Sequence, residues 1–229
     1  MGAALPKQFL EIGGTPVIMY TLRRLEASPV VDRVVIACID GWRQTLAQWV
    51  LEAGLQKVAA IVPGGATRSA STRRGMAALQ AADDDVVIVH DAVRPLVSDR
   101  SLASVASSAA RYGNGMAVLE CTDTMYERTA PLADGGEGSA SRVLDRTRMV
   151  RGLTPEAVTG RRLREMYARA DARGVQDDSI SALQSRLGWE IHLAAGDRVN
   201  LKLTRPEDVE LFRALLLLRQ SGEVRGFEA

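Results

Sequence analysis

Four short, β-branched apolar runs, separated by longer amphipathic ones, restrict what this chain can fold into. In Asp32 to Cys38 (DRVVIAC), Lys57 to Val62 (KVAAIV), Asp85 to His90 (DVVIVH) and Gly115 to Leu119 (GMAVL) the apolar residues are continuous rather than alternating. A strand covered on both faces has that pattern, because neither row of its side chains meets water. Helical periodicity fills the intervals at Pro16 to Ala27, Trp42 to Ala53, Arg68 to Ala82 and Asp99 to Tyr112. Strand and helix alternate with brief Gly, Pro and Asp punctuation, which predicts an α/β fold on a doubly wound, mainly parallel sheet. Right-handed crossovers would gather the loops that follow the strands at one edge, where ligands bind.

The alternation breaks between Thr122 and Met149. A small, polar stretch, Asp134 to Ser141 (DGGEGSAS), is flanked by strand-like segments of polar alternation, so a protruding β-arm is expected there. Beyond the arm, Glu156 to Arg173 and Asp177 to Leu187 read as helices, and Trp189 to Leu193 and Val199 to Leu203 as short strands. Pro206 opens a last amphipathic helix to about Gln220, with proline well placed in the first turn. The expected organisation is one domain over residues 1–229, carrying an arm at about 122–149.

With 229 residues, 46% hydrophobic and 25% charged, the chain has ordinary globular composition. A net charge of +1 gives no basic surface for nucleic acid. The longest apolar run, Val34 to Ile39, is far too short to span a bilayer, and no signal peptide is visible. No nucleic-acid or membrane partner is expected, and the expected location is the cytoplasm. Cys38 and Cys121 then read as buried thiols rather than a disulfide. His90 and His192 lie outside any zinc-ligand spacing.

Four loop segments carry chemistry. Pro6-Lys7-Gln8 holds an early lysine that would, on residue type alone, be a solvated tail residue. Gly64 and Gly65 open the turn GGATRSAS, where Ser71 and a helix N-terminus offer donors to a ligand; a tight turn with a capping serine fits equally well. In HDAVRP, Asp91 and Arg94 form a polar pair at the end of the most apolar strand, with a structural ion pair as the alternative. In NLKLTRPED, Lys202 lies between Leu201 and Leu203, so an inward lysine there calls for an anion, unless it blunts an edge strand.

Taken together, PKQFLEIGGTPVIMYTL, GGATRSASTRRG, VHDAVRPLV, TDTM, DR followed by LTPE, and NLKLTRPEDV resemble the 2-C-methyl-D-erythritol 4-phosphate cytidylyltransferase family of isoprenoid precursor synthesis. Ribitol 5-phosphate cytidylyltransferases have similar motifs. The resemblance implies a Rossmann-like nucleotidyltransferase that uses CTP, a polyol phosphate and magnesium, and that forms a homodimer through the arm. It implies that Lys7 and Lys202 grip phosphates in catalysis. Gly64, Gly65, Ser71, Asp91 and Ala92 would line the nucleotide site. Arg94, Thr124, Arg146 and Thr154 would hold the polyol phosphate, with Arg146 reaching over from a partner's arm. Family members begin with a further strand and an AAGxGxR-type loop ahead of the position of Met1. Without them the chain is expected to be catalytically crippled, and a form extended by roughly two dozen residues, enough for that strand and loop, to be active; a noncatalytic nucleotide-binding paralogue lacking the phosphate loop is the alternative.

In such a transfer, a substrate phosphate oxygen attacks the α-phosphorus of CTP and pyrophosphate leaves. Two anions must approach, so lysines and a metal ion should dominate catalysis, and no general base is required. Three positions depart from the common family pattern: Gln176 precedes Asp177-Asp178, Glu156 replaces a glutamine, and Val93 replaces an alanine as in ribitol-type members. Asp123-Thr124-Met125 leans towards the methylerythritol enzyme.

Overall fold

The computed structural model describes residues 5–131, 136–177 and 179–221. Met1 to Ala4 of the first motif, Asp134 and Gly135 of the arm tip, and Asp178 lie outside the described residues.

The strand-like apolar runs fold as β3 (Val34–Cys38), β4 (Val58–Pro63), β5 (Val86–Val89) and β6 (Asn114–Glu120). Helices α1 (Val17–Ala27), α2 (Arg43–Glu52), α3 (Arg68–Leu79) and α4 (Asp99–Tyr112) lie between them. Local chemistry sets their ends. Ser98 caps α4 by accepting from the Ser101 amide at 3.1 Å, and Gly113 ends it at φ 87°, which favours glycine. Ahead of α1, a small hairpin pairs β1 (Glu11–Ile12) with β2 (Thr15–Pro16), an element the apolar pattern gives no hint of.

The expected α/β class and the arm are both present. The arm is an antiparallel pair, β7 (Met125–Arg128) and β8 (Ala140–Leu144), whose residues are almost all exposed. The main sheet is mixed and places, in order, β10 (Leu193–Ala195), β6, β9 (Val150–Thr159) and β5. Its long strand β9 runs antiparallel to both β5 and β6.

That strand corrects the expected helix from Glu156: Glu156 to Thr159 finish β9, and α5 (Gly160–Arg173) begins only after them. The physical reason is burial on both sides, since Leu153 to Val158 are all buried between β5 and β6. Helix α6 (Ile180–Arg186) follows, and β10 (Leu193–Ala195) starts where the expected Trp189 to Leu193 strand should end. Residues Val199 to Leu203 join no sheet; they form a half-buried loop ahead of α7 (Pro206–Ser221), with Asn200 and Leu203 turned inward.

Apolar burial is divided among clusters that together fix the loop edge. One joins Phe9, Ile18, Leu22, Ile36, Leu46 and Val50, with Phe9 stacked on Trp42 at 4.2 Å between ring centres. Another brings Ile12, Val17, Val93 and Leu96 against Leu203 and Phe212. Gly115 allows the close approach of α4 to β6, since a Cβ there would lie 2.8 Å from the Val105 carbonyl oxygen. No helix among the described residues is long and apolar enough to cross a membrane.

Candidate active site

Strand register places the first pair of site residues. β5 and β9 align Val89 with Glu156, and the same register carried two residues on sets Asp91 opposite Thr154. The Asp91 amide donates to Thr154 Oγ1 at 3.2 Å. β9 also slips register against β6 between Met116 and Val118, an irregularity of the kind that re-aims a side chain near a site.

Three cations converge on the Asp91 carboxylate. Arg68 Nη2 lies 3.2 Å from Oδ1; Arg94 Nε and Lys202 Nζ lie 3.2 Å and 3.1 Å from Oδ2. Burial would raise the Asp91 pKa, but Lys202, Arg68 and Arg94 together outweigh it and hold the carboxyl well below the usual carboxylate range. The cluster therefore keeps a surplus of positive charge at neutral pH.

Arg94 differs from the other two cations. It is 8% exposed, and its Nη1 also donates to the Asn200 carbonyl at 2.8 Å. Burial pushes its pKa down, with Asp91 opposing that shift. Arg68 and Lys202 keep more side-chain exposure, 30% and 39%, and are the cations a ligand can reach. Arg151 on β9 adds positive charge that acts on Arg94.

The glycine turn lies beside this cluster through Arg68, the first residue of α3. The Gly65 amide donates to Ser71 Oγ at 2.9 Å, and that hydroxyl turns to the Thr67 carbonyl at 3.0 Å. Ser71 thus closes the turn itself instead of leaving its hydroxyl free. A Cβ on Gly65 would lie 2.4 Å from Ala70 Cβ and 2.9 Å from the Ser71 amide, so the turn closes only around glycine.

Lys7 sits in a short 3-10 turn, Lys7–Phe9, whose Phe9 shares a core cluster with Ala92. Helix α1 is tied to the same loop, because Thr21 Oγ1 donates to the Ala92 carbonyl at 2.8 Å. No ion pair among the described residues joins Lys7 to Asp91. Thr124 and Arg146 stay on the exposed arm, where Arg146 Nη1 donates to the Thr122 carbonyl at 2.6 Å. The structure therefore groups Asp91, Arg94, Thr154 and Lys202, and among the described residues no hydrogen bond or ion pair joins Thr124 or Arg146 to them.

Two members of the cluster were absent from the sequence-based set. Arg68 lies inside the GGATRSAS motif, where the glycines and serine carry the sequence signal. Asn200 opens NLKLTRPED, and only its two-residue distance from Lys202 could have pointed to it. His90 is a third case: its Nε2 sits 3.2 Å from the Arg94 carbonyl, and burial lowers its pKa to about 4.

Glu156 is buried, and its carboxylate accepts from Ser179 Oγ at 3.0 Å and the Ser181 amide at 2.8 Å. Those donors satisfy the buried carboxyl group.

Among the described residues no group of three His, Cys, Asp or Glu side chains could hold a metal ion. Both Asp91 oxygens already meet cations. The described residues therefore do not fit a resident divalent ion.

A cluster of cations at the loop edge of an α/β sheet, beside a glycine turn, suits an enzyme that handles nucleotide phosphates, a nucleotidyltransferase. The sequence matches the family described as IspD: 2-C-methyl-D-erythritol 4-phosphate cytidylyltransferase over residues 1–219. It is 31% identical over 221 residues to a ribitol-5-phosphate cytidylyltransferase of Lacticaseibacillus paracasei, covering 94% of this chain and 92% of that protein. Identity is 33% over 217 residues to a 2-C-methyl-D-erythritol 4-phosphate cytidylyltransferase of Acidobacterium capsulatum, covering 94% and 88%. The crystal structure of 2-C-methyl-D-erythritol 4-phosphate cytidylyltransferase from Thermus thermophilus superposes with a TM-score of 0.73 at 30% identity, covering 92% and 93%. The chain belongs to this cytidylyltransferase family.

Proposed function

We propose that the protein transfers CMP from CTP to 2-C-methyl-D-erythritol 4-phosphate. A phosphate oxygen of the acceptor forms a bond to the α-phosphorus of CTP, the bond to the β-phosphate oxygen breaks, and pyrophosphate carries away the electron pair. The observation that carries this reading is the convergence of Arg68, Arg94 and Lys202 on one carboxylate. Such a site offsets the repulsion between two anionic substrates without demanding a base.

In this reading Asp91 keeps the cations in place, and phosphate oxygens compete with it for Lys202 and Arg68. Lys7 grips the triphosphate from the neighbouring turn, the Gly64-Gly65 wall receives the base, and the buried Arg94 and Thr154 shape the acceptor side by fixing Asp91 and Asn200 in place. Thr124 and Arg146 act from a partner's arm, whose exposed Tyr126 and Val143 supply apolar surface for a homodimer. Magnesium enters as the counter-ion of the triphosphate, because magnesium is commonly bound through substrate phosphates rather than an all-protein cage.

Ribitol 5-phosphate is the second reading for the acceptor, favoured by Val93 and by the comparable identity to a ribitol-5-phosphate cytidylyltransferase. Pyrophosphate release measured with each nucleoside triphosphate, with and without acceptor, tests the reaction class. Release that requires both CTP and a polyol phosphate supports the proposal. Release with ATP or UTP at equal rate overturns it.

A further inference from the structure

Lys202 sits on a segment that no sheet ladder holds, so its position depends on individual contacts. Residues 199–203 form a loop pinned at two points. On one side, Leu203 is 2% exposed and its amide donates to the Val93 carbonyl at 2.9 Å. On the other stands Asn200, also 2% exposed. Its Nδ2 donates to the Thr154 carbonyl at 2.8 Å, and its own carbonyl accepts from Arg94 Nη1 at 2.8 Å.

These bonds close a circuit. The Asp91 amide bonds Thr154 Oγ1, the Thr154 carbonyl accepts from Asn200, the Asn200 carbonyl accepts from Arg94, and Arg94 Nε returns to Asp91 Oδ2. Three separate segments, the β5 exit, β9 and the 199–203 loop, are locked at fixed separations by four residues. Lys202 hangs from this circuit two positions past Asn200 and reaches the same Asp91 carboxylate. Asn200 Oδ1 is buried without a hydrogen-bond partner among the described residues, so the carboxamide is a poor choice for stability alone and calls for another explanation.

We infer that Asn200 is a positioning residue that sets the Lys202 ammonium against the phosphates, acting through the loop and not by touching substrate. The inference rests on the cytidylyltransferase reading of this site. Geometry of this kind matters because a misplacement near 1 Å can cost about 100-fold in rate.

The test is a double-mutant cycle with Asn200→Ala and Lys202→Ala, read as kcat/KM for CTP and, independently of turnover, as binding of inorganic tripolyphosphate by calorimetry. Asn200→Ser, which leaves a smaller polar side chain, guards against a variant that does not fold, and a thermal midpoint monitors each protein. With Lys202 present, Asn200→Ala should lower kcat/KM about tenfold and weaken tripolyphosphate binding several-fold. In the Lys202→Ala background the same substitution should change either readout less than about twofold. Equal losses in both backgrounds would mean a merely structural role and overturn the inference. So would unchanged binding by both Asn200 variants, or no tripolyphosphate binding by the parent protein. If the parent protein binds tripolyphosphate in the predicted pattern yet releases no pyrophosphate from CTP, the inference stands and the reading of the reaction fails.

Discussion

Lys202 Nζ lies 3.1 Å from Asp91 Oδ2, the carboxylate oxygen that Arg94 Nε also meets at 3.2 Å. One oxygen thus serves a buried cation that cannot leave and an exposed cation that can. The difference in exposure separates the two roles: Arg94 holds the loop, and Lys202 is free to turn to a phosphate.

Lys202→Ala should therefore reduce catalysis more than stability. Loss of one positioned donor to developing charge costs about 100-fold or more in kcat, while loss of a part-exposed ion pair shifts stability by at most about 1 kcal/mol. Steady-state kinetics beside a urea titration check the split. A stability loss without a rate loss would make Lys202 structural.

Asp91→Asn should do both. It leaves Arg68, Arg94 and Lys202 without their shared anion, at a cost of about 2 kcal/mol once the exposure of Arg68 and Lys202 is discounted. The sign with pH follows from the depressed carboxyl pKa. The unfolded carboxyl titrates near 3.9, so the stabilisation is complete above about pH 4 and is lost as pH falls further. Unfolding free energies of the parent and Asp91→Asn proteins should converge in acid. Parallel curves down to acid pH would contradict the assignment.

His90 predicts a separate, higher window. Its pKa falls from 6.5 to about 4 on folding because burial disfavours the cation, so the unfolded chain binds the extra proton first. Stability from keeping it neutral is unaffected above about pH 6.5 and falls between there and pH 4, by up to about 3 kcal/mol. In His90→Gln that slope should vanish while the deeper Asp91 loss remains. A slope that survives the substitution would assign the acid sensitivity elsewhere.

Gly65→Ala should close the route to CTP by deforming the turn. The new Cβ would meet Ala70 Cβ at 2.4 Å and backbone at 2.8 Å, an overlap costing about 1–3 kcal/mol if α3 shifts to relieve it. The KM for CTP should rise with little change in that for the polyol phosphate. An unchanged KM for CTP would remove the turn from the nucleotide site.

The strands that order the loop edge are legible because β3, β4, β5 and the middle of β6 carry continuous apolar runs bounded by turn residues, although β4 is only part-buried in the fold. β9 was hidden because Gly152, Pro155 and Glu156 break its apolar run, and its long-range pairing with β5 and β6 leaves no local mark. Val199 to Leu203 looked like a strand since Leu201 and Leu203 alternate with Lys202, yet only Leu203 finds a β5-side carbonyl, Val93. Lys202 and Asp91 stood out as charges amid apolar neighbours. Asn200 and Arg68 did not, because a capping-type asparagine and a first-turn arginine are ordinary in loops. Only the tertiary contacts to Thr154 and Asp91 distinguish them.

The central claim is tested most directly by incubating the protein with CTP, magnesium and equal concentrations of 2-C-methyl-D-erythritol 4-phosphate and ribitol 5-phosphate, with products followed by mass spectrometry beside pyrophosphate release. Pyrophosphate should appear in step with the cytidine diphosphate derivative of methylerythritol, formed ahead of the ribitol product. Earlier formation of the ribitol product, or CTP binding with no pyrophosphate from either acceptor, would contradict the account.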